Sequence, residues 1–390
     1  MLECPPMRLA HLILTDFRNF TSLQIQIPPG PTIIVGANAQ GKTSLLEAIH
    51  YLVGASSAHA SHDSQLIRLE AEPRIARLVA EIERGDRKES IEIRLILESL
   101  DNGNERLRKE ILINGVSKRA MDLHGRFNAV LFLPRDVQVV EGSPRDRRRE
   151  LDMTISQADP DYARLLSEYS KVLTQRNALL KRLRERRGNV GELDFWDKRL
   201  AELGAEVMLA RATALAQLQA LAAPIHEELT AGAEALTLHY RPAYEPAGSF
   251  DEGAWLTGSL REGLQAEFER LRPNELRRGM TLTGPQRDDL ALQINGLELR
   301  HYGSRGQNRT AMLAFKLAQV DWLHQRTGEQ PVLLLDEVLA ELDPERRGYL
   351  LRRLTESNQA LLTAADIGMF NKSFLERATR WTIEAGSLSA

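Results

Sequence analysis

Thr32-Ile-Ile-Val35, Gly36-Ala-Asn-Ala-Gln-Gly-Lys-Thr43 and Ser44-Leu-Leu-Glu-Ala-Ile-His-Tyr-Leu52 follow one another without a break. The first is a short apolar run that suits a buried strand, and the last has the spacing of a helix. The eight residues between them fit Gly-x4-Gly-Lys-Thr. Glycines allow the tight turn that points the backbone N–H groups of Gly36, Ala37, Asn38, Ala39, Gln40 and Gly41 inward at a phosphate. The helix that follows offers its positive N-terminal end to the same anion. Lys42 is spaced to reach the β- and γ-phosphates, and the Thr43 hydroxyl to ligate Mg2+. The stretch predicts an α/β domain that binds ATP.

Two later segments complete that chemistry. Val332-Leu-Leu-Leu-Asp336-Glu337 is a buried strand with two carboxylates at its C-terminal end, where open α/β sheets place their ligands. Asp336 is expected to hold Mg2+ through water, and Glu337 to polarise the attacking water. Tyr302-Gly-Ser304-Arg-Gly306-Gln307 precedes a predicted helix over 307–326. A Ser hydroxyl with free amides at a helix N-terminus makes an anion-binding nest, although the same residues also suit an ordinary helix cap. In a chain that already has a phosphate loop, the run reads as the signature of an ABC-type ATPase. Ser304, Gly306 and Gln307 are then expected to meet nucleotide bound by a second protomer. Arg305 and Asp343, the latter closing Leu339-Ala-Glu-Leu-Asp343, fall at the same dimer seam.

The rest of the 390 residues is consistent with a soluble multidomain protein: 43% are apolar and 27% charged, which excludes wholesale disorder. No apolar run approaches the roughly 18 residues that span a bilayer, so no membrane association is expected. The single cysteine, Cys4, permits no internal disulfide, and the chain reads as cytoplasmic. A net charge of −3 gives no global basic field, so any DNA contact must be local. Met1 to Pro6 read as an extension.

Alternating strands are predicted at 9–14, 23–27, 77–82, 90–97 and 110–113. From about residue 144 the pattern turns helical. Pro160 to Arg187 and Glu192 to Thr230 are long helices joined by Gly188-Asn-Val-Gly191, the second interrupted near Pro224. They should pair as an antiparallel arm. Strand-and-helix pattern returns after residue 280. Three segments are expected: a head part over 7–125, a helical lobe with the arm over 126–275, and the rest of the head over 276–390.

Taken together these segments resemble the RecF family of bacterial recombination and repair ATPases, over about Met7 to Asp366. The distinctive pieces are Leu14-Thr-Asp-Phe-Arg-Asn-Phe20, Leu133-Pro-Arg-Asp-Val-Gln-Val-Val-Glu-Gly-Ser-Pro144, Leu193-Asp-Phe-Trp-Asp197, Thr283-Gly-Pro-Gln-Arg-Asp-Asp-Leu290 and Gly303-Ser-Arg-Gly-Gln-Asn-Arg-Thr310. The resemblance implies an ABC-type head like those of Rad50 and SMC proteins, in a mixed α/β lobe I, with an inserted α-helical lobe II. It implies slow ATP hydrolysis with Mg2+ and homodimerisation on ATP. It also implies binding of duplex, gapped or single/double-strand junction DNA, and work with RecO and RecR in loading RecA. Three stretches depart from the family pattern. Pro134-Arg-Asp136 lacks a Q-loop glutamine, with Gln138 nearest. Ala364-Ala-Asp366 lacks a switch histidine, and Ser57-Ala-His-Ala-Ser-His62 replaces a Ser/Arg/Thr-type segment.

Two basic clusters are candidate DNA contacts. Arg147 and Arg148 lie in the first. Lys171, Arg176, Lys181, Arg182, Arg184, Arg186 and Arg187 make the second, at the end of the predicted arm. Solvated helix faces are the plain alternative for both. His59, His62, His301 and His324 show no metal-ligand spacing. An ABC-type subunit driving another partner, such as a membrane transporter, is the competing reading of the ATPase motifs. The arm insertion and the family-specific segments weigh against it.

Overall fold

The computed structural model describes residues 6–99, 104–246, 248, 250 and 255–389. Residues 1–5 of the expected N-terminal extension lie outside them. The chain opens with β1 (Met7–Phe17), β2 (Phe20–Gln26), β3 (Gly30–Val35), α1 (Lys42–Gly54), β4 (Ile75–Arg84), β5 (Arg87–Ser99), β6 (Glu105–Ile113), β7 (Val116–Lys118) and β8 (Ala129–Phe132). Next come α2 (Val137–Glu141), α3 (Pro144–Ala158), α4 (Pro160–Arg184), α5 (Glu192–Leu229), β9 (Leu236–Arg241), α6 (Thr257–Arg278), β10 (Asp289–Ile294), β11 (Leu297–Glu298), α7 (Leu299–Tyr302) and α8 (Arg305–Thr327). The chain ends with β12 (Val332–Asp336), α9 (Pro344–Thr355), β13 (Gln359–Ala364), α10 (Lys372–Arg377), β14 (Thr379–Glu384) and β15 (Ser387–Ser389).

Two compact units result. The first comprises the residues up to Asp136 together with Gln319–Ala390, and the second Val137–Ala318. Within the first, β2-β1-β4-β5-β6-β7 form an antiparallel sheet, and β15-β14-β3-β13-β12-β8 form a second sheet that is parallel from β14 to β8. Every residue of β12 and β13 is buried, as expected of central parallel strands covered on both faces. Gln359 joins the two sheets: Leu9 N–H donates to its Oε1 at 2.9 Å, and its amide donates to the carbonyls of Leu9 and Pro28. β13 lies between β3 and β12, so the loop after β3 and the acids ending β12 share one edge of the sheet.

The second unit is mainly helical. α4 and α5, of 25 and 38 residues, pack against each other on either side of a short turn, so the arm hairpin is present. Leu179, Leu180 and Leu193 form its distal core, with Leu183, Trp196 and Leu276 against them. The interruption expected near Pro224 does not occur. α5 runs through it, and Leu218, Ala222, Ile225 and Leu229 are buried on either side. One lost N–H bond near the helix end is outweighed by that packing.

The boundaries differ from those expected at 125/126 and 275/276. β8 pairs in parallel with β12, which carries the first unit on to Asp136. β10 pairs with β9, a strand not foreseen, so the segment 276–318 folds with the helical unit.

Candidate functional site

The phosphate loop is held open by close backbone approaches. Gly41 caps α1 at φ 117°, and no side chain caps that helix, so its first-turn amides remain available. A Cβ at Gly41 would lie 2.6 Å from Asn19 Nδ2, and one at Gly36 2.5 Å from the Ile383 carbonyl oxygen. The crest is braced from outside. The Gln40 carbonyl accepts from Asn19 Nδ2 and Gly386 N, both at 3.1 Å, and Gln40 Oε1 accepts from Ala385 N at 2.6 Å. The Gln40 side chain is thus a strut of the loop rather than a phosphate contact. Asn19, which the sequence marks only as part of a family segment, is a second strut. Its partners lie in distant turns, so no local signal marked it.

Lys42 is 4% exposed; its Nζ donates to the carbonyls of Gly36 at 2.6 Å and Ala37 at 3.1 Å, and pairs with Glu337 Oε1 at 3.0 Å. Thr43 Oγ1 donates to Asp336 Oδ2 at 2.8 Å. Thr363 Oγ1, one strand over, donates to Asp336 Oδ1 at 2.7 Å and accepts from the Glu337 N–H at 2.9 Å. Glu337 is held at φ 53°, a left-handed conformation unusual for a side chain with a Cβ. Thr363 therefore sets both acids, a role the sequence reading missed. The available signal was a lone hydroxyl in an apolar strand facing Asp336 in register.

A cavity of about 720 Å3 opens in front of this set, lined by Asn38, Lys42, Thr43, Arg74, Glu337 and an apolar wall that includes Ile67. The donors suit a nucleoside triphosphate with Mg2+: a cation and free helix amides for phosphate, and a hydroxyl beside a carboxylate for a hard divalent ion. Among the described residues no group of three or more His, Cys, Asp or Glu is placed to hold a metal by itself.

Ser57-Ala-His-Ala-Ser-His62 is folded onto α1. Glu47, 2% exposed, receives two hydrogen bonds from Arg18, at 2.8 and 3.0 Å, and one from Ser57 Oγ. Ser57 Oγ in turn accepts from the amides of His59 and Ala60. Burial, with the nearby Arg135 cation, holds the His59 imidazole below its ordinary pKa.

In the second unit, Ser304 and Gln307 form a reciprocal cap on α8. Ser304 N–H donates to Gln307 Oε1 at 2.9 Å, and Gln307 N–H donates to Ser304 Oγ at 3.2 Å. The cap uses Ser304 Oγ as an acceptor and the Gln307 side chain as its partner. Ser304, Arg305 and Gly306 are exposed. A Cβ at Gly303 would lie 2.6 Å from the Leu299 carbonyl, so packing requires that glycine. A Cβ at Gly306 would meet only Ser304 Oγ at 3.9 Å, so nothing within the described chain requires glycine there.

Asp343, back in the first unit, caps α9 through the amides of Glu345 and Arg346 and pairs with the Arg346 guanidinium. Gln138 is exposed on α2.

Several candidate DNA cations are otherwise engaged. Arg147 is 3% exposed; its guanidinium pairs with Asp289 at 2.7 and 3.0 Å and donates to the Val140 and Gly142 carbonyls. It cannot reach a phosphate from there. Arg148 donates to the Asp288 carbonyl. Arg176 is fully buried among Asp197, Glu275 and Thr281, so it too leaves the surface cluster. Lys181, Arg182, Arg184, Arg186 and Arg187 remain exposed near the end of the arm, with Arg184 also donating to the Arg278 carbonyl.

The description "RecF/RecN/SMC N terminal domain" matches residues 8–388, and an Smc head domain from Pyrococcus furiosus, 17% identical, shares the fold at a TM-score of 0.52 over 98% of this chain and 95% of that one. Fold and loop together define the ABC-type ATPase head class of that family. The DNA replication and repair protein RecF of Chloroflexus aggregans is 42% identical over 98% of this chain and 100% of its own length. That of Bacillus subtilis is 36% identical over the same shares. A solved structure of the recombination mediator protein RecF-ATP in the RecFOR pathway superposes at a TM-score of 0.87, 31% identical, over 99% of this chain and 98% of that one. The chain belongs to the RecF family. No helix among the described residues is long and apolar enough to cross a membrane.

Proposed function

We propose that this chain is an ATP-dependent DNA clamp of recombinational repair, in which ATP joins two copies around DNA and slow hydrolysis releases them. The observation that supports the reading is the exposed N-terminus of α8 at Ser304–Gly306, in a different unit from the phosphate loop. A glycine that no intrachain contact requires, at that exposed end, suits close approach by another molecule, and the γ-phosphate held by a second copy is the ligand of matching chemistry. Arg305 and Asp343 would lie at that seam.

In such a site Lys42 leaves the loop carbonyls for the β- and γ-phosphates. Glu337, freed from Lys42, orients the attacking water and takes its proton. Thr363 keeps Asp336 aimed at the Thr43 hydroxyl. Mg2+ bound by Thr43 and Asp336 would neutralise phosphate charge. The curated relatives are named for DNA replication and repair, and the solved relative for the RecFOR pathway. Those names support DNA as the substrate surface; that it is duplex, gapped or junction DNA is part of the proposal. The pathway name is in keeping with RecR and RecO as partners, and the proposal adds RecA loading as the outcome. Lys181, Arg182 and Arg184 are the candidate phosphate contacts. The head bounds 7–125 and 276–390 would then describe the ATPase lobe of the family pattern rather than the folding units.

DNA binding with and without ATP, comparing gapped with blunt duplex, tests the reading. Wild type should bind at least tenfold more tightly with ATP, and Ser304→Arg should lose that gain. ATP-independent binding that Lys42→Met shares would exclude it.

A further inference from the structure

The cap on α8 does not use all of Gln307. Its Oε1 accepts from Ser304 N–H, and its Nε2 donates to Glu234 Oε1 at 2.9 Å. Glu234 lies between α5 and β9, and its other oxygen, Oε2, is 3.2 Å from Nε2 of His226. His226 is fully buried in the last turn of α5. The loop that carries Glu234 is itself fixed: Ala235 N–H donates to Asn295 Oδ1 at 2.9 Å, and Asn295 N–H donates to the Ala235 carbonyl at 3.0 Å. An amide, a carboxylate and an imidazole thus run from the nest to the base of the long arm helix.

The chemistry of position 307 follows from this chain. Glutamate and glutamine serve equally as the third helical residue of a reciprocal cap. Here a glutamate would set a like charge against Glu234, whereas glutamine offers it an N–H. The carboxylate therefore selects glutamine at a position that the cap alone leaves open. Glu234 also fixes the side-chain torsions of Gln307, and through the shared cap the orientation of Ser304.

We propose that Glu234 is a positioning residue for nucleotide-dependent assembly. It holds Gln307, and with it the Ser304–Gly306 nest, in the orientation that receives phosphate from a second copy. It also fastens the nest to α5, so that movement of the arm helix is transmitted to the nest. The inference rests on the proposed action of the nest across a dimer seam. Glu234 contacts Gln307 and His226 and is not among the residues lining the phosphate-loop cavity, so it acts through Gln307.

The test uses the full chain carrying Glu234→Ala or Glu234→Gln. Three quantities are read: affinity of the monomer for a fluorescent ATP analogue, the dimer dissociation constant in ATP by sedimentation, and the thermal midpoint. Glu234→Ala should leave nucleotide affinity within about twofold and weaken dimerisation about tenfold, the loss of one charge-assisted hydrogen bond. Glu234→Gln keeps an oxygen for Gln307 and should restore dimerisation to within about threefold of wild type. Wild-type dimerisation by Glu234→Ala would overturn the inference, as would failure of Glu234→Gln to restore it. A parallel fall in nucleotide affinity and thermal midpoint would reduce Glu234 to a structural residue and overturn it too. Absence of an ATP-dependent dimer in wild type would instead remove the seam reading on which it rests.

Discussion

Asp336 and Glu337 are neighbours with different supports. Asp336 is 7% exposed and receives two hydroxyl hydrogen bonds, from Thr43 and Thr363. Glu337 reaches Lys42 from a left-handed backbone, which the bond from its own N–H to Thr363 Oγ1 holds in place. Thr363→Val keeps the shape of the strand but removes both bonds. ATP turnover should fall about tenfold or more, with nucleotide affinity changed less than about threefold, in steady-state kinetics beside direct binding. Lys42, Thr43, Asp336 and Glu337 were legible in the sequence because loop, lysine and acids must stand at set spacings. Thr363, Asn19 and Glu234 were not, because each acts on a residue far away in the chain. Register and loop closure bring them there, and neither leaves a local pattern.

At the scale of elements, the arm shows why a run of cations misleads. Arg176 falls within the cationic run of α4, yet it lies on the same helix face as Tyr169, Val172, Leu179 and Leu180, all buried. That spacing was the available signal. Its guanidinium pairs with Asp197 and Glu275, both at 2.6 Å, and lies over the Phe268 ring at 4.7 Å, so it joins α4, α5 and α6. Arg176→Ala leaves two buried carboxylates without it and should cost about 3–5 kcal/mol in denaturant unfolding, while Lys181→Ala should cost less than about 0.5 kcal/mol. His124 approaches the end of α1, where a Cβ at Gly54 would lie 2.8 Å from its ring. Burial pushes its imidazole down to about 4 from the ordinary 6.5. Below the ordinary value the unfolded chain binds a proton that the folded chain refuses. Stability should therefore fall as pH drops from about 6.5 towards 4, by at most roughly 3 kcal/mol from this group. His124→Gln should flatten that part of the urea-midpoint profile.

For the whole molecule, the alternation of strands and helices and the helical insertion follow from sequence periodicity, the mixed α/β head from the family resemblance, and the parallel pairing of its core from the structure alone. The folding units do not follow from periodicity, because strand partners decide them. β8 joins the head through β12, and the segment around β10 joins the helical unit through β9. Residues 303–310 consequently belong to the arm's unit and not to the phosphate loop's. Under the proposed function, that division makes ATP a ligand for two copies at once. Sedimentation velocity of Glu337→Gln in ATP, beside the Glu337→Gln/Ser304→Arg double variant, tests this most directly. A dimer in ATP, a monomer without nucleotide, and a monomer throughout for the double variant are predicted. A double variant that dimerises in ATP as readily as the single one, or a single variant that stays monomeric, would contradict it.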